Sequence, residues 1–223
     1  MARVIAIDGP SGAGKSSVSR IVGKKLGFLH VDSGALYRIM TWQALVRKVD
    51  TDNPDAVAAF APTVEIECRP ENGAIAYYVG GEPPGERIHT PEINAHASQV
   101  ATVKQVRDKI TSLLRDMTRF GDLVVEGRDI TTAVFPDSPA RFYLTASAEA
   151  RAMRRQKEEV EKGIANQSAA AVKASLLARD AIDSTRKYAP LRKADGAIEI
   201  DSSDLTLEQV VDIVLEKIHE TFD

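Results

Sequence analysis

A single cysteine, Cys68, stands in a chain of 223 residues, so the sequence can build neither an intramolecular disulfide nor a cysteine-based metal site. Its thiol reads as a small buried hydrophobe. The histidines, His30, His89, His96 and His219, fall at no metal-ligand spacing. No apolar run approaches the roughly 18 residues of a membrane-spanning helix, and the apolar stretch before Asp8 is too short and wrongly flanked for a secretory signal. Together these absences predict a cytoplasmic protein without a membrane partner. Net charge is near −3, which leaves the chain as a whole no electrostatic reason to bind nucleic acid. Any affinity for phosphate has to be local, and arginines are indeed grouped at Arg151, Arg154 and Arg155 and again at Arg179, Arg186 and Arg192.

What is present is the balance of a globular enzyme, 43% hydrophobic and 27% charged residues, at a length that fits one core carrying small mobile insertions. Residues 4–8, VIAID, form a short β-branched run ending in an acid and a Gly-Pro turn, which suits a buried, central parallel strand. Apolar residues then recur at helical spacing from Lys15 to Leu26, with Gly27 where a C-terminal glycine is expected. Residues 28–31 read as a second strand, followed by an amphipathic helix through Leu36, Ile39, Met40 and Leu45.

Residues 63–88 differ from their surroundings. Alternation in VEIEC and IAYYV around Pro70, Glu71, Asn72 and Gly73 predicts a small antiparallel hairpin inserted into the core. One helix is expected over 91–119. LVVEG (123–127) and RFYLTAS (141–147) read as two further parallel strands. The charged stretch 148–187, split at Gly163, Ile164, Ala165 and Asn166, has too few large apolar residues for a core of its own and reads as a helical flap. A last strand at 197–200 precedes Thr206 and Gln209, a capping-box pair that opens the final helix. Alternating strands and helices predict an α/β fold, a three-layer sandwich around a central parallel sheet.

The chemistry begins at Gly9, Pro10, Ser11, Gly12, Ala13, Gly14, Lys15, Ser16 and Ser17. This segment matches GxxxxGK[ST] in its required context, after a predicted strand and opening a predicted helix. Its glycines let the backbone turn successive N–H groups toward a phosphate chain at the positive end of the helix. Lys15 would reach the β- and γ-phosphates of ATP, and the Ser16 hydroxyl would ligate Mg²⁺. Glu126, at the end of LVVEG, stands where such proteins keep an acid that orients Mg²⁺; a plain strand-end carboxylate is the other reading. GTPases need a base-specifying NKxD segment, which is absent, and long ATPase machines need more chain. A small-molecule kinase fits, and its anionic acceptor would be held by arginines delivered from several elements. The acceptor, and the alternative of a protein that binds ATP without transferring it, stay open at this point.

Four segments narrow the choice: DSGALYR (32–38), GRDITTAVFP (127–136), RDAIDSTR (179–186) and APL (189–191). In order and spacing they resemble the bacterial cytidylate kinases among the P-loop nucleoside monophosphate kinases, and with the hairpin the resemblance covers nearly the whole chain. It implies transfer of the γ-phosphoryl group of ATP to CMP or dCMP, by a monomer. It also implies a division into core at 1–37, a monophosphate-binding insertion at 38–100, core at 101–151, a lid at 152–187 and core at 188–223. Ser33, Ser98, Arg107, Asp129, Arg179, Asp183 and Arg186 would then surround the cytosine and sugar. Arg38 and Arg128 would hold the acceptor phosphate, and Arg151, Arg154 and Arg155 would close over ATP and neutralise charge on the moving group. Cytosine offers an amino donor beside two acceptors, so a carboxylate with an arginine can satisfy its edge; Asp129 and Arg107 are the expected base readers. Two positions depart from the family pattern: Thr131, where glycine is usual, and Ala178, where glutamate is frequent.

Overall fold

The structure, a computed structural model, describes residues 2–161 and 168–222. Seven strands form one sheet: β1 (Val4–Asp8), β2 (Leu29–Asp32), β3 (Glu67–Glu71), β4 (Ala74–Tyr78), β5 (Leu123–Gly127), β6 (Ala140–Thr145) and β7 (Ile198–Asp201), in the order β3-β4-β2-β5-β1-β6-β7. β2, β5, β1, β6 and β7 run parallel, with β1 in the middle of these five. β1 is buried along its whole length, as its β-branched run requires of a strand covered on both faces. Its side chains alternate between two cores. Val4 and Ala6 join Leu36, Ile39, Met40, Val106, Ile110 and Leu114 on one face, whereas Ile5 and Ile7 join Val18, Val22, Phe142, Val211 and Val214 on the other.

The helices that supply those faces are α1 (Lys15–Leu26), α2 (Ser33–Val46), α3 (Pro54–Phe60), α4 (Pro91–Val100), α5 (Lys104–Asp116), α6 (Ala148–Glu161), α7 (Ala169–Thr185) and α8 (Leu207–Phe222). α2 and α5 cover one side of the sheet, α1 and α8 the other. α8 opens with the expected reciprocal cap: Gln209 N–H donates to Thr206 Oγ1 (3.2 Å) and Thr206 N–H to Gln209 Oε1 (2.8 Å). Gly27 takes a left-handed φ of 71° and ends α1.

Two expectations change. The single helix over 91–119 is two, α4 and α5, separated at 101–103. Thr102 Oγ1 donates back to the Gln99 carbonyl (2.7 Å), and the freed Ala101 carbonyl accepts from Arg107 Nη1 (3.1 Å), so a functional side chain satisfies the break. The hairpin lies where expected, but its turn is the two-residue Asn72-Gly73 with φ of 50° and 79°, the paired positive values that favour Asn-Gly. Pro70 and Glu71 therefore belong to β3. One bridge, His30 to Ala74, joins β4 to β2, so the hairpin extends the central sheet at its edge.

Among the described residues, α6 and α7 pack on each other around Ala152, Val172 and Leu176, in keeping with the shortage of large apolar residues in this stretch. The break expected at Gly163, Ile164, Ala165 and Asn166 lies outside the described residues. Among the described residues, no helix is long and apolar enough to cross a membrane.

Candidate active site

The loop from Gly9 to Gly14 links the end of β1 to the start of α1, with Gly9, Gly12 and Gly14 at φ of 149°, 79° and 91°. Only glycine enters these conformations without strain. A Cβ on Gly9 would also overlap the Leu144 carbonyl oxygen, and one on Gly12 would lie 3.1 Å from Arg151 Cβ. Ala13 is buried, and Ser16 and Ser17 are exposed at the start of α1. Lys15 is buried and donates to the Pro10 carbonyl at 2.7 Å. Burial, then the nearby charge of Arg128, lowers its pKa to about 7, while Glu126, Asp8 and Asp180 pull it the other way. A polyanion in the loop would restore that proton.

Beside the loop, β5 ends in Glu126 and Gly127, and the chain then delivers Arg128 and Asp129 before a single π-helical turn, Ile130–Val134. Asp129 is buried between two guanidinium groups, pairing with Arg107 of α5 and lying 3.7 Å from Arg186 Nη2. Arg107 also stacks on Tyr37, 5.3 Å from the ring centroid. Asp183 of α7 receives Arg128 Nε at 3.2 Å and Arg186 Nη1 at 3.4 Å. Arg186 is held in turn by the Ala189 carbonyl, which accepts from Nε and Nη2 at 2.8 and 2.6 Å. Ser98 is buried on α4, and buried Ser33 donates to the Glu126 carbonyl at 2.6 Å.

Positive charge accumulates next to this network. Arg38 pairs with Asp32 at 2.8 Å, yet among the described residues its buried Nε has no partner, and neither does the Nε of Arg179. Burial and the neighbouring charges of Arg128, Arg38 and Arg155 lower the pKa of Arg179 to about 10, against the pull of Asp183. Four guanidinium groups, two of them with a buried Nε that has no partner among the described residues, have the charge and the donors that suit a dianion.

The three flap arginines diverge. Arg151 is buried and donates to the carbonyls of Ala146 (3.1 Å) and Ser11 (3.0 Å), and it pairs with Asp180. Arg154 donates to Ser202 Oγ at 2.9 Å and to the Ser202 carbonyl. Arg155 joins the charge field of Arg179; it pairs with Glu158 at 3.1 Å. The three keep the common face of α6 that their i, i+3 and i+4 spacing predicts, and each is bonded there to a different partner.

The sequence matches the family described as cytidylate kinase over residues 5–220. The chain belongs to the cytidylate kinase family. A cytidylate kinase of Streptomyces avermitilis is 43% identical over 219 residues, covering 97% of this chain and 93% of that one. One of Geobacter sulfurreducens is 41% identical, covering 94% and 89%. Among solved structures, an uncharacterized protein of Eubacterium ventriosum superposes with a TM-score of 0.51 at 10% identity, over 97% of this chain and 98% of that one, a likeness of fold alone.

For a cytidylate kinase family member, the metal question reduces to Ser16 and Glu126. One hydroxyl and one carboxylate suit Mg²⁺, which keeps several waters and takes most of its other oxygens from nucleotide phosphates. His30 Nε2 lies 3.3 Å from Glu126 Oε1 and fixes that carboxylate's orientation. Several residues escaped the sequence reading. Asp8 is fully buried and accepts from Ile130 N–H (2.9 Å), Thr131 N–H (2.7 Å) and the Thr131 hydroxyl (2.6 Å). Its position at the strand end, just before the loop, was the only signal available. Asp32 and Asp180 likewise sit inside motifs already noted, as the partners of Arg38 and Arg151.

Proposed function

We propose that the protein transfers the γ-phosphoryl group of ATP to CMP or dCMP, giving CDP or dCDP and ADP. The observation that carries this reading is that Arg38, Arg128 and Arg155 all act on the charge of buried Arg179, and that Arg128 acts on Lys15 as well. Such a concentration of cations, two of them with a buried Nε that has no partner among the described residues, is costly unless an anion completes it.

In this reading the glycine loop, Lys15 and Ser17 grip the donor triphosphate, and Arg38 and Arg128 hold the acceptor phosphate in line with it. Asp129 and Arg107 read the cytosine edge, Asp183 accepts from sugar hydroxyls, and Ser33, Ser98, Arg179 and Arg186 complete that wall. Arg154 and Arg155, with Lys15 and Arg128, offset charge on the moving group, and Arg151 turns to the donor on closure. Mg²⁺, held by Ser16 and oriented by Glu126, supplies further charge neutralisation when bound. Catalysis is positioning and electrostatics with no covalent intermediate, so the protein must also exclude water that would hydrolyse the donor. In this reading residues 38–100 serve as the insertion and the described residues of 152–187 as the lid, and these are the parts that move. We place the enzyme in the cytoplasm as a monomer.

The test is an ADP-release assay across nucleoside monophosphates. CMP and dCMP should be turned over faster than UMP or AMP; equal rates would remove the cytidine assignment and leave a kinase of another acceptor.

A further inference from the structure

The π-helical turn Ile130–Val134 is capped from another strand. Asp129 stands at its N-cap position, where an aspartate ordinarily turns its carboxylate onto the free amides of its own turn. Among the described residues it makes no such bond. The Asp129 carbonyl is the first acceptor the turn uses, taking the Ala133 and Val134 amides at 2.9 and 3.2 Å, so the amides of Ile130 and Thr131 come too early to find an acceptor within the turn. Asp8, at the end of β1, accepts both of them, at 2.9 and 2.7 Å, together with the Thr131 hydroxyl at 2.6 Å.

With three donors on this fully buried carboxylate, the turn makes no claim on Asp129. The Asp129 carboxylate is left for the guanidinium groups beside it, pairing with Arg107 and lying 3.7 Å from Arg186 Nη2. Two demands would otherwise compete for one group, because buried amides without an acceptor cost free energy and so do buried guanidinium groups without a counter-charge. A second carboxylate, brought in by β1, meets the first demand and lets Asp129 meet the second. The two acids stand within electrostatic reach of each other, which is itself unfavourable, and the three donors are what offset it.

Resting on Asp129 as a reader of the acceptor base, we propose that Asp8 is a positioning residue for the acceptor: it caps the turn in place of Asp129 and so keeps the Asp129 carboxylate on Arg107 and Arg186. Asp8 itself touches neither nucleotide. Its effect on binding passes through Asp129 and falls on the acceptor, although its own strand leads into the glycine loop.

The test uses the full chain and its variants. Asp8→Asn keeps the volume, but its side chain offers one acceptor oxygen and an NH₂ group, so it can serve the turn's donors only in part. Calorimetry should show CMP affinity lower by about tenfold in Asp8→Asn and about threefold in Thr131→Val, with Thr131→Ser close to the unaltered chain. Affinity for a non-hydrolysable ATP analogue should stay within about twofold throughout. In an Asp129→Asn background, Asp8→Asn should weaken CMP binding by less than about twofold, because the carboxylate it acts through is gone. The same comparisons with Thr131→Val serve where Asp8→Asn folds poorly. Unchanged CMP affinity in the folded variants, an undiminished effect beside Asp129→Asn, or a loss for the analogue as large as that for CMP would overturn the proposal. If the unaltered chain binds CMP no better than AMP or UMP, the base-reading assignment fails instead. Hydrogen exchange at the Ile130 amide, expected to run about tenfold faster in Asp8→Asn, then decides whether Asp8 holds the turn, and an unchanged rate would overturn the cap as well.

Discussion

Replacing Thr131 by valine isolates one hydroxyl. Thr131 is fully buried, and its Oγ1 is one of three donors to the buried Asp8 carboxylate, at 2.6 Å. Valine keeps the shape and both backbone donors but leaves a buried carboxylate one hydrogen bond short, which costs about 2 kcal/mol. At this chain length that lowers Tm by about 4–8 °C. The loss should depend on pH in a set direction. Burial, partly offset by the Thr131 hydroxyl, raises the pKa of Asp8 to about 6, with a contribution from the charge of Asp129. A carboxyl whose folded pKa is raised gives stability that is complete below its unfolded value and is lost as pH rises through the folded one. Valine removes a group that holds this pKa down, so the gap between wild type and variant should open above about pH 6 and narrow toward pH 4. Thr131→Ser should recover most of the difference. Thermal melts across pH are the assay. A gap of equal size at both ends, or a serine variant as damaged as the valine one, would refute the role given to the hydroxyl.

Gly9→Ala should be among the most damaging single changes, because φ is 149° and the new Cβ overlaps the Leu144 carbonyl oxygen; soluble expression and melting should reveal a loss of about 4 kcal/mol or more. Asp129→Asn is a sharper probe than alanine, since it removes the charge that Asp129 places between buried Arg107 and Arg186 while keeping an acceptor oxygen and the side chain's volume. It should raise KM for CMP by about tenfold or more with ATP-analogue affinity kept; unchanged CMP kinetics would remove Asp129 as base reader. Lys15→Ala should abolish transfer while the melt stays near wild type or rises, because the lysine is buried with its pKa pushed down to about 7. Thr206→Ala should cost about 1 kcal/mol through the lost α8 cap, measurable by denaturant unfolding with kinetics unaltered.

Much of the fold was legible because it depends on signals local in the chain. Buried parallel strands are short β-branched runs, helices carry a 3.6-residue apolar period, and glycine marks the end of α1 at Gly27 and the hairpin at Gly73. The helix expected over 91–119 shows the limit of such signals. Its apolar period runs on through 101–103, and the break is stabilised by Arg107 donating to the Ala101 carbonyl, a contact whose purpose appears only once Asp129 is seen on the other side of Arg107.

The parallel α/β core, the glycine loop at the end of β1 and the charged helical stretch that follows β6 could be read from the residues alone, since each follows from backbone preference and periodicity over short spans. Which arginine serves which partner came from packing. Helical spacing put Arg151, Arg154 and Arg155 together, but packing sends them to Ser11, to Ser202 and into the charge field of Arg179. The physical reason is distance along the chain. Asp8 meets Thr131 across 123 positions and Ser11 meets Asp180 across 169, and no local preference encodes a contact whose two halves come together only when the sheet and the flap have closed.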